Sequence, residues 1–136
     1  DIRGVYMQSS LALSGTLQVL KQKGLLVGPQ DKKHVFVVSN DGIPQELKSI
    51  AAGQIDATVS QPADLYAKYA LYYLKAAIDG KTFKPGKTDH DSTIIQVREG
   101  VLEDQLSAPL VTADGGTYGG VASVKSDDKS LWGNNL

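Results

Sequence analysis

The sequence has no cysteine, almost no net charge and no long apolar run. Without cysteine there is no disulfide framework, and the redox compartment goes unread. Fourteen basic residues against fifteen acidic ones leave a formal charge of −1. That balance argues against a nucleic-acid surface, because neutralising phosphates takes clustered Lys and Arg. No apolar stretch approaches the ~18 residues that a membrane-spanning helix requires. The sequence also lacks internal repeats, a glycine-rich phosphate loop, a nucleophile elbow and an H-E-x-x-H motif. Its serines have no histidine partner at a recognisable motif. A signal peptide is missing too, and the opening DIRGVYMQ reads as a buried strand with neither leader nor cap. The chain is therefore expected to begin in the middle of a fold.

What is present is enough for a folded domain: 136 residues, 41% of them hydrophobic. Ile2 to Gln8 predict a strand, and LALSGTLQVLKQKG predicts a helix with Leu13, Leu17 and Leu20 on one face and Gly24 as its stop. HVFVVS is a continuous apolar run of strand length, the pattern of a strand covered on both faces. Pro44 then opens a helix that buries Leu47, Ile50 and Ala51 and ends at Gly53. IDATVS predicts a third strand, and Pro62 opens a long helix to about Ile78. Strand–helix alternation at this spacing predicts an α/β fold with a parallel sheet and flanking helices. STIIQVREGV and APLVT add strand-like pieces, and the tail from Asp114 onward is expected to wrap the surface or lack order.

Right-handed crossovers place the three strand ends on one edge of such a sheet, and ligands of open α/β sheets bind beyond the carboxyl ends of the strands. Ser9, Asp41 and Gln61 sit there, one per strand. A carboxylate accepts from two neighbouring hydroxyls at once, and a primary amide both donates and accepts, so the set suits a small polyol. The helix beginning near Pro44 would favour an ionised Asp41 at its N-terminus. A plainer reading competes: Asp, Asn and Gly follow strands because they make turns and caps, and a serine cap accounts for one of Ser9 and Ser10. Gln61 before a helix-opening proline is not explained that way.

The stretch VVSNDGIPQELKSIAAGQIDATVSQP resembles the ribose-binding group of type I periplasmic sugar-binding proteins. That family reads V-V-G-F-D-G-T-P, then a helix, then a run like G-K-I-x-A-T-V-A-Q. GVYMQSSLALSGTLQVLKQKG is similar to the family's strand followed by N-D-x-M-A-x-G-A, and LWGNNL looks like tails of solute-binding components of ABC importers. The resemblance covers residues 2–112 and implies a two-lobed fold closing on its ligand. It implies that residues 1–61 belong to the C-terminal ligand-binding lobe. Residues 62–112 would then supply a crossing helix and strand on the other, absent lobe and return to the first, and 113–136 a surface tail. Asp41 would grip sugar hydroxyls and Gln61 would be an amide ligand at the last hinge crossing. Ser9 would face the ligand where the family has Asn or Asp, and Asn40 is read as a cap. The implied partners are a sugar or polyol, the N-terminal lobe and an importer permease, with no cofactor and no nucleic acid. The implied location is periplasmic or extracellular, membrane-associated in a Gram-positive cell.

In ADLYAKYALYYLKAAIDG, Tyr66, Tyr69, Ala70, Tyr73 and Ala77 form an apolar stripe. The stripe is expected to pack on the absent lobe or on a replacement partner, including a homodimer. Three rival readings stand beside this one. The same fold serves as the effector domain of lac-repressor-type regulators, and an enzyme would need a centre such as Asp89-His90-Asp91. Adjacent side chains cannot converge on one ion without chain reversal, so this trio is read as solvated and non-metallic. His34 is read as merely preceding a strand. A half-lobe whose strand ends are turn chemistry alone is the third possibility.

Overall fold

A computed structural model describes residues 2–136. In chain order the elements are β1 (Gly4–Tyr6), α1 (Leu13–Gln22), β2 (Phe36–Asp41), α2 (Pro44–Ala51), β3 (Ala57–Ser60) and α3 (Ala63–Ile78). They continue with β4 (Gly86–Lys87), β5 (Ser92–Arg98), β6 (Val101–Leu106), β7 (Leu110–Thr112), β8 (Asp114–Tyr118) and β9 (Val121–Lys125), with 3-10 turns at Ser10–Ala12 and Trp132–Asn134. The three α-helices end alike. Gly24, Gly53 and Gly80 adopt φ of 66°, 67° and 69°, and the next residue in each case donates back five residues, as in Leu25 N–H to the Leu20 carbonyl. Glycine reaches this left-handed conformation without steric cost, so the stops are legible in the sequence.

The chain divides into two compact units, one running through Gln61 and resuming from Pro109 to Leu136, the other Pro62–Ala108. The first unit carries a six-stranded sheet in the order β1-β2-β3-β7-β9-β8. β1, β2 and β3 are mutually parallel, with Val5 opposite Val37 and Ser39 opposite Thr58, as two successive βαβ crossovers require. β7 then joins β3 antiparallel, pairs parallel with β9, and β9 closes against β8 in a hairpin. The sheet is therefore mostly parallel at the end that carries the helices and mixed at the other.

Leu13 and Leu20 from α1, Leu47 and Ile50 from α2, and Met7, Val37, Ile55 and Val111 from the strands and their flanks form one buried cluster. The apolar run of β2 is not covered on both faces. Successive strand side chains point to opposite faces; Val37 and Ser39 enter the core, whereas Phe36 is 59% and Val38 38% exposed. The tail also departs from expectation. β8 and β9 extend the sheet, and Leu131 is a core residue with 2% exposure. Its glycine-rich stretch hides this order because little apolar periodicity marks it, the burial resting on Leu131 and Val124.

The second unit combines α3 with an antiparallel sheet in the order β4-β5-β6. β5 and β6 pair from Ser92↔Leu106 to Arg98↔Val101 around a turn at Gly100, whose φ is 72°. Its buried apolar side chains include Ala76 and Ile94, and a group of rings packs beside them. Tyr73 meets Phe83 edge-on at 4.9 Å between centroids, and Tyr69 stacks on His90 at 3.8 Å. Tyr69 and Tyr73 are thus spent inside this unit and do not form the open interface stripe expected of them. Of the expected stripe, Tyr66, Ala70 and Ala77 are exposed, and Leu71, Tyr72, Leu74 and Ile78 are exposed beside them. Among the described residues no helix is long and apolar enough to cross a membrane.

Candidate functional site

The carboxyl ends of β1, β2 and β3 come together around Asp41. Ser9, Ser10, Asn40, Asp41 and Gln61 are all half-buried there. Oδ2 of Asp41 accepts three hydrogen bonds: from Ser9 Oγ at 3.1 Å, from the Ser10 N–H at 2.8 Å and from Ser10 Oγ at 2.8 Å. Among the described residues, Oδ1 receives a long contact from Asn40 Nδ2 at 3.4 Å. Gln61 Nε2 in turn donates to Asn40 Oδ1 at 3.0 Å, so polar groups run continuously across three strand ends. One oxygen of the carboxylate is saturated by its own chain, and the other keeps accepting capacity.

The sequence-predicted residues occupy this ridge in different ways. Ser9 caps the 3-10 turn by accepting from the Leu11 N–H, and its hydroxyl points its proton at Asp41. Ser10 does more for Asp41 than Ser9 does, with two bonds to one. Asn40 is not a helix cap: its side chain bridges Gln61 to Asp41, and the cap position of α2 belongs to Ile43, which offers no side-chain bond. β2 continues through Asn40 and Asp41, which places Asn40 on the strand rather than at the helix start.

The backbone at Asp41 is unusual. Its φ of 123° makes it the one non-glycine residue among those described with a positive φ, a conformation that costs about 1–3 kcal/mol and persists where surrounding contacts enforce it. The enforcing contacts are present. The Asp41 carbonyl accepts the Gln61 N–H at 3.0 Å and Trp132 Nε1–H at 3.1 Å. Gly42 follows with φ of 76°, and a Cβ there would overlap Ser60. Trp132 lies 91 residues downstream. Sequence reading missed it because nothing local ties an indole in a polar tail to a strand end; its one signal was an isolated tryptophan beside the buried Leu131.

Both histidines are clamped by acceptors. His34, taken as simply preceding a strand, is buried, with Nδ1 2.9 Å from the Val27 carbonyl and Nε2 2.9 Å from Asp56. Asp56 also accepts the Val37 N–H. Burial pulls the His34 pKa down, but the carbonyl and carboxylate bonds outweigh it, and the net shift is upward. His90 is not solvated as expected: its side chain is 12% exposed, with Nδ1 2.8 Å from Asp89 and Nε2 2.9 Å from Asp104. Here too partial burial lowers the pKa and the two carboxylates more than reverse it. Asp104 is desolvated, which raises its pKa, yet its polar neighbours Ser92, His90 and Tyr73 hold it below the usual carboxylate range. Tyr73 is pushed up, first by burial and then by its bond to Asp104. These groups neutralise one another and brace the second unit. Among the described residues no three His, Asp or Glu side chains gather as a metal site.

Residues 1–82 match the model of a family described as the periplasmic binding protein domain. Among solved structures, the chain is similar to the periplasmic binding protein component of the arabinose ABC transporter from Shewanella sp. ANA-3, bound to alpha and beta-L-arabinofuranose. The TM-score is 0.50 and the identity 28%, over 60% of this chain and 25% of that one. The chain thus spans about a quarter of the length of the structure it matches. The family is described as one of binding proteins, and the solved structure is the binding component of a transporter. With 82 of its residues matched, parallel βαβ units and polar strand ends on one edge, the chain belongs to the periplasmic binding protein domain family.

Proposed function

We propose that this chain contributes to binding a sugar, of the size of a pentose, for uptake by an ABC-type importer, without chemistry on the ligand. The carrying observation is Asp41: a strained carboxylate at the end of the central parallel strand, one oxygen saturated by Ser9 and Ser10 and the other retaining accepting capacity. Asp41 accepts from ligand hydroxyls through Oδ1. Ser9 acts by holding that carboxylate, and Gln61 and Asn40 extend the hydrogen-bonding edge. Discrimination follows from the cost of leaving such groups unpaired when a hydroxyl is absent or inverted, about 1–3 kcal/mol per group. The likeness to a protein solved with arabinofuranose supports a furanose-sized ligand.

In this reading the first unit is part of one lobe, and a second lobe closes over the ligand by hinge motion. The closed form docks on the importer permease outside the cytoplasmic membrane, in a periplasmic or extracellular location. The test is calorimetric titration of the complete protein with L-arabinose, D-ribose, D-galactose and nucleosides. One sugar class should bind, and Asp41→Ala should weaken it by roughly a hundredfold, as loss of a charged hydrogen-bonding partner does. An unchanged affinity in Asp41→Ala sinks the assignment of Asp41. Binding of a phosphorylated effector instead of any free sugar would move the protein to the regulator class.

A further inference from the structure

We propose that Glu46 is a positioning residue for the Asp41 carboxylate, acting through the Asp41–Gly42 peptide. The inference rests on the reading of Asp41 as the ligand-binding carboxylate, and it begins from an oddity of burial. Glu46 has 0% exposure, although it lies in the first turn of α2. Its Oε2 accepts the Gly42 N–H at 2.7 Å and the Thr58 hydroxyl at 3.2 Å, while the buried Oε1 has no hydrogen-bond partner. Burying a carboxylate with an unpaired oxygen is costly. Capping the helix does not explain the expense, because Ser, Thr or Asn at the cap position does that with a neutral group. An acidic residue at the third helical position usually reaches back to the cap residue's own N–H. Glu46 bypasses Ile43 and takes Gly42.

Taking Gly42 fixes a peptide plane. At one end of it the Asp41 carbonyl is held by the Gln61 N–H and by Trp132 Nε1–H. At the other the Gly42 N–H is held by the Glu46 carboxylate, a charge-assisted bond that is shorter and stronger than a neutral one. The carbonyl contacts alone leave the plane free to rock about them; the Glu46 bond stops that rotation. Behind Gly42 there is no slack, since even a Cβ would strike Ser60. With the plane immobile, Asp41 stays at its φ of 123°, and the Oδ2 of its carboxylate stays on Ser9 and Ser10. Glu46 itself reaches no ligand in this arrangement, so its effect on binding passes through Asp41.

The Ser10 amide, which donates to Asp41 Oδ2, reports the carboxylate's position without any ligand. In the complete protein, E46Q leaves an amide oxygen that accepts the Gly42 N–H without charge, so it should shift and broaden the Ser10 amide resonance and lower affinity for L-arabinose about fivefold, the scale of a charge-assisted bond made neutral. In an Asp41→Asn background the same change should move affinity less than about twofold, because coupled residues are not additive. Thr58→Val, which removes the other donor to Oε2, should leave Ser10 in place. An unmoved Ser10 amide in E46Q, or an equal loss of affinity in both backgrounds, overturns the proposal and leaves Glu46 a helix cap. If the wild type binds no L-arabinose but Ser10 still moves, the positioning stands and the sugar reading falls. Should E46Q fail to fold, the wild type decides: a downfield, slowly exchanging Gly42 amide supports the bond, and a fast-exchanging one overturns it.

Discussion

The two units of the chain are stabilised by different means. The first buries Leu13, Val37, Leu47, Ile50, Ile55, Val111 and Leu131 in a continuous apolar core. The second, with α3 and three strands, has few buried apolar side chains among the described residues, Ala76 and Ile94 with Pro62 at its start. It relies on a chain of rings and charges in which Tyr69 stacks on His90, His90 joins Asp89 to Asp104, and Tyr73 bonds Asp104. An apolar core resists pH and salt and fails when volume is removed. A polar brace tolerates volume changes better and depends on protonation. The strained carboxylate sits on the first kind of scaffold, which fits the need to hold Asp41 in a costly backbone conformation.

The strongest way to break this comparison is to hollow the first unit. Leu47→Ala, at a site with 2% exposure, should destabilise it by about 2–5 kcal/mol, the cost of lost burial plus a cavity. Hydrogen exchange resolved by residue is the right measure, because it distinguishes units that open separately from a chain that unfolds as one. Amides of β2 and β3 should lose protection in Leu47→Ala, while those of β5 and β6 stay as they were. Equal loss in both units would mean they unfold as one, and the contrast between them would be wrong.

A smaller effect is expected from the second unit's brace. Tyr73→Phe keeps the ring against Phe83 and removes only the hydroxyl that bonds Asp104 at 2.9 Å. Asp104 already has one buried oxygen without a partner, so losing a donor should cost about 1–3 kcal/mol. Protection should fall in α3 and β6 and remain in β2. No change anywhere would show that rings alone, without the polar chain, hold this unit.

Protonation sharpens the contrast further. His34 and His90 both have pKa values raised above the ordinary histidine value, so each contributes stability that is full below the unfolded pKa and lost as pH rises through the folded one. Asp104 runs oppositely: its lowered pKa gives stability above the unfolded carboxylate value that is lost as pH falls through the folded one. The second unit, facing Asp89, Asp104 and Tyr69 around His90, should be most protected in the window between these limits. Ring resonances followed by NMR should titrate above the ordinary value for both histidines. A His90 titrating at or below that value would contradict its double clamp.

How much of this the sequence carried depends on the range of the interaction. The βαβ order, the three glycine stops and the convergence of Ser9, Asp41 and Gln61 follow from short-range patterns: periodicity, turn chemistry and crossover handedness. What escaped were long-range pairings. Trp132 reaches Asp41 across 91 residues, and His90 finds Asp104 across a hairpin whose second strand, VLEDQL, has no clean alternation. The exposed Phe36 is the reverse failure: an apolar run states that a strand is hydrophobic on both faces, not that both faces are covered. Nothing in the sequence sets Glu46 apart, because acidic first turns are common; its burial and its bond to the Gly42 N–H show only in the fold.

The smallest effect is expected where charge is present but burial is not. Lys75 and Asp79 form an i, i+4 pair at 3.0 Å on α3, with the lysine 76% and the aspartate 39% exposed. Such pairs contribute about 0.3–0.5 kcal/mol at most, and salt screens them. Lys75→Ala also places alanine, the best helix former, at an exposed position, which offsets the lost pair. Protection across α3 should therefore stay within error of the wild type, at low and at physiological salt alike. A clear loss on this substitution would mean that surface charge, and not the Tyr73–Asp104–His90 chain, carries the second unit. The distinction between the two scaffolds would then have to be redrawn around solvent-exposed ion pairs.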